Sequence, residues 1–337
     1  RRQLVDAVTS LQPGPATDVG TDLAPLIAEP TGKLARALTS LDAGETWLVE
    51  PRRVGSADGP ALWSPGVRLG VQPGSWFHRT ECFGPVLGVV SARDLDHAIE
   101  IQNATSYGLT GGLHSLDDGE IEHWLERVEV GNAYVNRVTT GAIVQRQPFG
   151  GWKGSSVGPG AKAGGPNYVA QLGHWTDPGP GPIDQAAARS WLAAAEASDA
   201  EAWQAEFGID HDPTGLFCED NILRYRPLPA IVVRLEADTP APIRARIDAA
   251  ARRCGVPVRW SLAEDESQEA MAARLPSLGV ERVRLVGTAG PALRNAAIEH
   301  GVHLAADPVL ADGRRELLHY LREQSISRTR HRYGNIV

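Results

Sequence analysis

The run Ala230-Ile231-Val232-Val233-Arg234-Leu235 is six residues long, almost wholly apolar, and entered through Pro227-Leu228-Pro229. Three more short runs follow it, at 256–260, Arg282–Val286 and 302–305. Between them lie 242–253, 266–275 and Pro291–Glu299, each long enough for a helix and patterned like one. Short apolar strands alternating with helices predict a parallel sheet with helices on both faces, because parallel neighbours need a crossover. A last helix is expected over 314–325.

Upstream, Thr176-Asp177-Pro178-Gly179-Pro180-Gly181-Pro182 alternates proline with glycine, which continues neither a helix nor a central strand, so it reads as a linker. The Ala-rich stretch 183–207 is helical by propensity, with Trp191 and Trp203 as its anchors. Before the linker, helices are expected at 2–11, 32–41, 94–103 and 117–128. A strand fits 131–136, where Ala133 and Val135 alternate with polar neighbours. No repeat period is visible.

A length of 337 residues suits one large or two ordinary domains, and 42% hydrophobic with 22% charged residues is a globular composition. A net charge of −8 argues against a nucleic-acid partner held by bulk electrostatics. Lys33, Lys153 and Lys162 are the only lysines among 33 basic residues, a bias that reads as a GC-rich genome. Cys82, Cys218 and Cys254 form no CxxC pair and no zinc-spaced cluster, so no metal is expected and a reduced, cytoplasmic setting is. No apolar stretch approaches the roughly 20 residues of a membrane helix.

Glu81-Cys82-Phe83-Gly84-Pro85-Val86 is the sharpest site signal. A carboxylate accepts two hydroxyl donors at once, which suits the vicinal hydroxyls of a ribose, and a nearby aromatic can lie against a nicotinamide ring. The competing reading is an exposed Glu beside a core Phe at a strand end. Cys82 reads as packing, Cys218 has Glu219 and Asp220 against its thiolate, and Cys254 ends a helix whose dipole disfavours one. Thr140-Gly141-Ala142 has the small residues of an anion-binding backbone nest, against a plain turn between strands. The turn Val286-Gly287-Thr288-Ala289-Gly290-Pro291 lacks G-x-G-x-x-G spacing and a following acid, so a nucleotide-like fold without nucleotide is expected.

Taken in order, Glu81-to-Val86, Asn136-to-Ala142, Gln147-Pro148-Phe149-Gly150-Gly151-Trp152-Lys153 and Lys162-Ala163-Gly164-Gly165-Pro166-Asn167-Tyr168 resemble the C-terminal half of an NAD-dependent aldehyde dehydrogenase. Gly141-Ala142 and Lys162-to-Pro166 resemble the glutamate-semialdehyde (1-pyrroline-5-carboxylate) dehydrogenases of proline breakdown. Asn221-to-Pro229 and Arg322-to-Asn335 resemble the opening and closing motifs of the C-terminal domain of bifunctional proline utilization A proteins. The loop 154–161 departs from both patterns and leaves its own path open.

The resemblance implies an α/β fold: the C-terminal part of an aldehyde dehydrogenase catalytic domain (1–152), a loop and oligomerisation-type strand (153–176), a linker and Ala-rich helix (177–212), and a Rossmann-like doubly wound parallel-sheet lid (213–337). It implies that Glu81 and Phe83 contact the ribose and nicotinamide of NAD. By the same resemblance Gly141 and Ala142 hold the α-carboxylate of L-glutamate γ-semialdehyde, and Phe149 packs on its aliphatic middle. FAD would belong to a proline dehydrogenase domain upstream. In the family the nucleophilic cysteine and general-base glutamate precede the matching region, so no catalytic residue is expected here. The chain then reads as a truncated enzyme, inactive alone, that partners the missing upstream part of its own polypeptide and forms a homo-oligomer. The rival readings are a non-catalytic scaffold or lid paralogue and a nucleotide-binding regulatory module.

Overall fold

The computed structural model describes residues 1–56, 59–139, 141–177 and 184–330, and the chain divides into two units, Arg1–Ser106 and Tyr107–Val337. In the first unit, helices α1 (Arg2–Ser10) and α2 (Gly32–Thr39) occupy the stretches expected of them. A three-stranded sheet follows: β1 (Thr46–Val49) runs antiparallel to β2 (Gly66–Leu69), which is parallel to β3 (Val86–Val89). Arg68 sits in the central strand with no exposed surface. Its guanidinium donates to the Glu45 carboxylate and, at 3.0 Å, to the Ala37 carbonyl, and lies 4.4 Å from the Phe77 ring centroid. Such a charge is tolerated in a core only when its donors are matched like this. Helix α3 (Leu95–Asn103), within the stretch expected to be helical, starts where Asp94 accepts from the His97 amide at 2.8 Å as its N-cap.

In the second unit, β4 (Thr110–Leu113) crosses through α4 (Asp118–Arg127) to the parallel β5 (Asn132–Val135). Asp117 caps α4, accepting from the Gly119 and Glu120 amides, and the helix buries Ile121 and Trp124. The Ala-rich α5 (Gln185–Ala202) ends in a π turn at Trp203–Phe207. Most of the Pro-Gly linker, 178–183, lies outside the described residues.

After β6 (Glu219–Pro227) comes the predicted alternation: β7 (Ile231–Leu235), α6 (Ala241–Cys254), β8 (Val258–Leu262), α7 (Gln268–Arg274), β9 (Arg282–Val286), α8 (Pro291–Glu299) and β10 (His303–Ala305). All four strands are parallel, in the order β8-β7-β9-β10. Ile231, Val233 and Leu235 pack with Ile247, Ala250 and Cys254 of α6 on one face. Val232 packs with Met271, Leu293 and Ala297 of α7 and α8 on the other. Its four apolar residues therefore feed one or other of two cores, which is why the run is apolar without alternation, and the buried Arg234 instead donates to Ser261 Oγ at 3.2 Å and the Glu266 carbonyl at 2.8 Å. Trp191 and Trp203 pack against the first core, as expected of anchors.

Two expectations are corrected. The last helix predicted at 314–325 is a short helix Gly313–Glu316 and a 3₁₀ turn Leu317–Tyr320, and from Leu321 the chain is extended as β11 (Leu321–Thr329). Helix-forming residues lose there to non-local partners: β11 lies between β6, antiparallel over nine residue pairs, and β5, parallel from Ser325↔Asn132 to Arg328↔Val135. The oligomerisation-type strand expected at 167–172 is a 3₁₀ turn, Val169–Leu172, with Val169 and Leu172 exposed. The two units divide at Ser106, inside the segment 1–152 read as one part.

Helix α5 is fixed by a buried ion pair. Arg246 of α6 donates from both terminal nitrogens to Asp199, each at 2.7 Å, and from Nε to the Leu310 carbonyl at 2.7 Å. Both side chains are buried. We expect Asp199→Ala to destabilise the chain by about 3–5 kcal/mol, because it strands a buried guanidinium. The double variant Asp199→Leu/Arg246→Met should lose much less; urea unfolding of the two proteins measures the difference.

Candidate functional site

Glu81 is exposed, and Phe83 is 73% exposed with φ 56°, the left-handed backbone that a bulky side chain rarely adopts. A core Phe would not be so placed; the ring projects from the surface with the Lys33 ammonium 5.3 Å from its centroid. Gly84 follows because a Cβ there would fall 2.2 Å from Leu34 Cδ1. The exposed Phe83 ring is therefore held outward by a backbone angle that costs free energy, beside the exposed Glu81. Cys82 between them is buried, its Sγ 3.5 Å from the Thr80 carbonyl, and burial raises its thiol pKa. Burial, then the Asp199 charge, pushes the Cys254 thiol up much further. Neither is a thiolate at neutral pH.

In the second unit, Gly141 has φ 146° with open space where a Cβ would stand, so the backbone angle and not crowding calls for glycine. Ala142 is half-buried beside it; Thr140, the remaining member of the expected nest, lies outside the described residues. Phe149 is half-buried, and its N–H and carbonyl exchange two 3.0 Å hydrogen bonds with Ala163. That bridge ties the Pro-Phe-Gly-Gly block to the Lys-Ala-Gly-Gly-Pro block.

The tie is locked from beneath. Lys162 has no exposed surface; its ammonium donates to the Gly150 carbonyl and, at 3.4 Å, to Asn132 Oδ1 on β5. Its backbone N–H donates to Glu323 Oε2 at 2.7 Å, and Asn167 Nδ2 donates to Glu323 Oε1 at 2.6 Å. Desolvation lowers the Lys162 pKa to about 7, partly opposed by Glu323, and desolvation raises that of Glu323. In the sequence Lys162 stands out only as one of three lysines and within its motif, and Asn132 and Glu323 carry no functional mark. No local pattern marks them, since their roles arise from β11 lying beside β5.

The turn at Gly287–Gly290 is filled by the protein itself. Gln268 Oε1 accepts from the Gly290 amide at 2.5 Å, and a Cβ on Gly287 would meet Glu236 Cγ at 2.5 Å. A side-chain acceptor holds the amide a phosphate would need, and a carboxylate stands beside it. No group of three or more His, Cys, Asp or Glu able to hold a metal occurs among the described residues, and no described helix is long and apolar enough to cross a membrane.

The aldehyde dehydrogenase family model matches residues 1–175, more than half of the chain, and the chain belongs to that family. Among relatives, a 1-pyrroline-5-carboxylate dehydrogenase of Geobacillus sp. (strain WCH70) is 36% identical over 167 residues, covering 50% of this chain and 32% of that protein. The enzyme of that name from Geobacillus thermodenitrificans (strain NG80-2) is 48% identical over 105 residues, 31% of this chain and 20% of its own. A solved structure of proline utilization A from Corynebacterium freiburgense matches 99% of this chain and 34% of its own, with 47% identity and a TM-score of 0.85. The chain thus spans about a third or less of these relatives' length.

Lys162 gives a pH-dependent stability of definite sign. Its folded pKa, about 7, lies below its ordinary value of 10.5, so above pH 7 the unfolded chain binds more protons and unfolding becomes harder as pH rises towards 10.5. The cost of burying this ammonium is fully present below pH 7. Lys162→Met should therefore gain stability relative to the natural chain at pH 7 compared with pH 10, measured by urea unfolding at both.

Proposed function

We propose that this chain forms part of an NAD-dependent dehydrogenase that oxidises L-glutamate γ-semialdehyde to L-glutamate. The observation that carries the reading is the Gly141–Phe149–Lys162 block: a glycine at φ 146°, an aromatic bridged to Ala163, and a buried lysine gripping the intervening Gly150 carbonyl. The 1-pyrroline-5-carboxylate dehydrogenases named above support it by their similarity.

In this reading the backbone amides at Gly141 and Ala142 hold the substrate's α-carboxylate by charge-assisted hydrogen bonds, remote from the aldehyde. Phe149 lies along the aliphatic middle and fixes the reach of the chain. Glu81 accepts from the two ribose hydroxyls of NAD, and Phe83 supports the nicotinamide ring; the exposure of both side chains suits a ligand that covers them. When bound, NAD supplies the hydride acceptor. In this reading the nucleophile comes from residues outside this chain, because Cys82 and Cys254 are buried with raised pKa values and Cys218 lies half-buried beside Glu219 and Asp220, both engaged by arginines. A homo-oligomer and an upstream flavin domain holding FAD complete the proposal.

Two outcomes test it. A longer polypeptide containing this chain should reduce NAD when given glutamate semialdehyde, whereas the chain alone should not; turnover by the chain alone that vanishes in Cys82→Ser would restore Cys82 as the nucleophile. In that longer protein, Gly141→Val forces an L-residue into a strained backbone angle and misaims the amides. The Michaelis constant for glutamate semialdehyde should rise by about tenfold or more, the loss of one charge-assisted bond. A short aldehyde without a carboxylate should be nearly unaffected, and equal losses on both would make the loop a plain turn.

A further inference from the structure

A cavity of about 240 Å³ lies within the second unit, lined by the 159–175 segment and by residues from Tyr225 to Glu323. None of Glu81, Phe83, Gly141, Ala142 or Phe149 lines it. Its volume is below that of an ordinary drug-sized site, so any occupant is small. Leu310, Leu318 and the Trp175 ring give it an apolar wall.

Its lining holds polar groups of both signs. Asn167 is 3% exposed, and its Oδ1 is a buried acceptor with no hydrogen-bond partner, although its Nδ2 donates to both Glu323 and the Tyr225 hydroxyl. An orphaned buried acceptor costs free energy until a donor reaches it. Glu323 beside it carries one accepted hydrogen bond on each carboxylate oxygen, which leaves further lone pairs free. Asp307 adds a second carboxylate to the wall. Opposite in charge is Arg315: its guanidinium stacks 3.9 Å over the Trp175 ring and forms no ion pair among the described residues. Burial lowers the pKa of both imidazoles in the lining, His303 helped by Arg282 and opposed by Asp307, His319 helped by Arg284 and Arg282, so neither adds a charge to the wall at neutral pH.

A planar cation free on one group, acceptors unsatisfied on another and leucines along the wall match one ligand chemistry. We propose that this cavity binds a small aliphatic α-amino acid as its zwitterion, carboxylate on Arg315, ammonium on Asn167 and Glu323, side chain against Leu310 and Leu318. Arg315 would receive the carboxylate in the planar, two-donor manner that lysine cannot offer. Trp175 beneath it makes occupancy visible in fluorescence.

The proposal stands or falls with titration calorimetry on this chain, using L-leucine, 4-methylpentanoate (no ammonium) and 3-methylbutylamine (no carboxylate). L-Leucine should bind at least about tenfold more tightly than either half-ligand and shift the Trp175 emission. Arg315→Gln should weaken L-leucine by about tenfold or more while leaving the unfolding midpoint unchanged. Leu318→Trp, which fills the cavity, should abolish binding and keeps the test alive if the first variant folds poorly. No heat with L-leucine at millimolar concentration would mean that water alone satisfies Asn167, and overturn the proposal. Equal affinity for all three probes, or unaltered binding in both variants, would overturn it as well.

Discussion

The second unit is organised by one strand bonded on both edges. β11 pairs with β6 along its whole length and with β5 over four residues, so two pieces of chain separated by about ninety residues share a sheet. Besides Leu321 and Ile326, its buried side chains are polar: Glu323, Gln324, Ser325 and Ser327. Each has a named partner. Glu323 holds Lys162 and Asn167, Gln324 donates to the Val130 carbonyl at 3.0 Å, Ser325 donates to the Pro148 carbonyl at 2.5 Å, and Ser327 donates to Asn221 at 3.2 Å. Hydrogen bonding rather than apolar area fixes the register, because a one-residue slip would strand every one of these groups. The Pro-Phe-Gly-Gly and Lys-Ala-Gly-Gly-Pro blocks rest on this strand, so the proposed substrate loop inherits its rigidity.

Arginine has a structural place that composition concealed. Arg68, Arg234, Arg246 and Arg284 are all essentially buried. Arg284 of β9 reaches the Glu316 carboxylate and the carbonyls of Ala305, Asp307 and Pro308, closing the segment after β10 onto the sheet. Five fixed donors in one plane can satisfy several carbonyls at once, which a lysine ammonium cannot. The scarcity of lysine, read from sequence as genomic bias, accompanies a core that uses guanidinium groups as rivets. Lys162 is the exception: burial pulls its pKa down to about 7 although the Glu323 charge opposes the shift, because its ammonium has only one carbonyl and one distant amide oxygen as hydrogen-bond acceptors.

The four-stranded parallel sheet was legible in the sequence because its central strands face two cores and are apolar at most positions, the buried arginines apart. The helices were legible as stretches between breaks in the pattern, and the structure closes them with local devices: the Asp94 and Asp117 caps and Gly255 with φ 69° ending α6. Glu81, Phe83, Gly141 and Phe149 could be picked out because motif order carried them. Their physical marks, an aromatic forced outward at φ 56° and a glycine at φ 146°, appear only in the folded backbone.

What sequence could not decide is whatever depends on partners distant in the chain. Leu321-Arg322-Glu323-Gln324 has the helix propensity expected of it, and taken alone it would continue the turn before it. It is a strand because β5 and β6 leave a gap whose backbone groups need pairing, and nine residues of ladder outweigh a few tenths of a kcal/mol per residue of propensity. Lys162, Asn132, Asn167 and Glu323 have no mutual spacing to detect; they meet only after β11 has entered the sheet. Local chemistry wrote the elements, and the obligation to satisfy buried polar groups decided which of them touch.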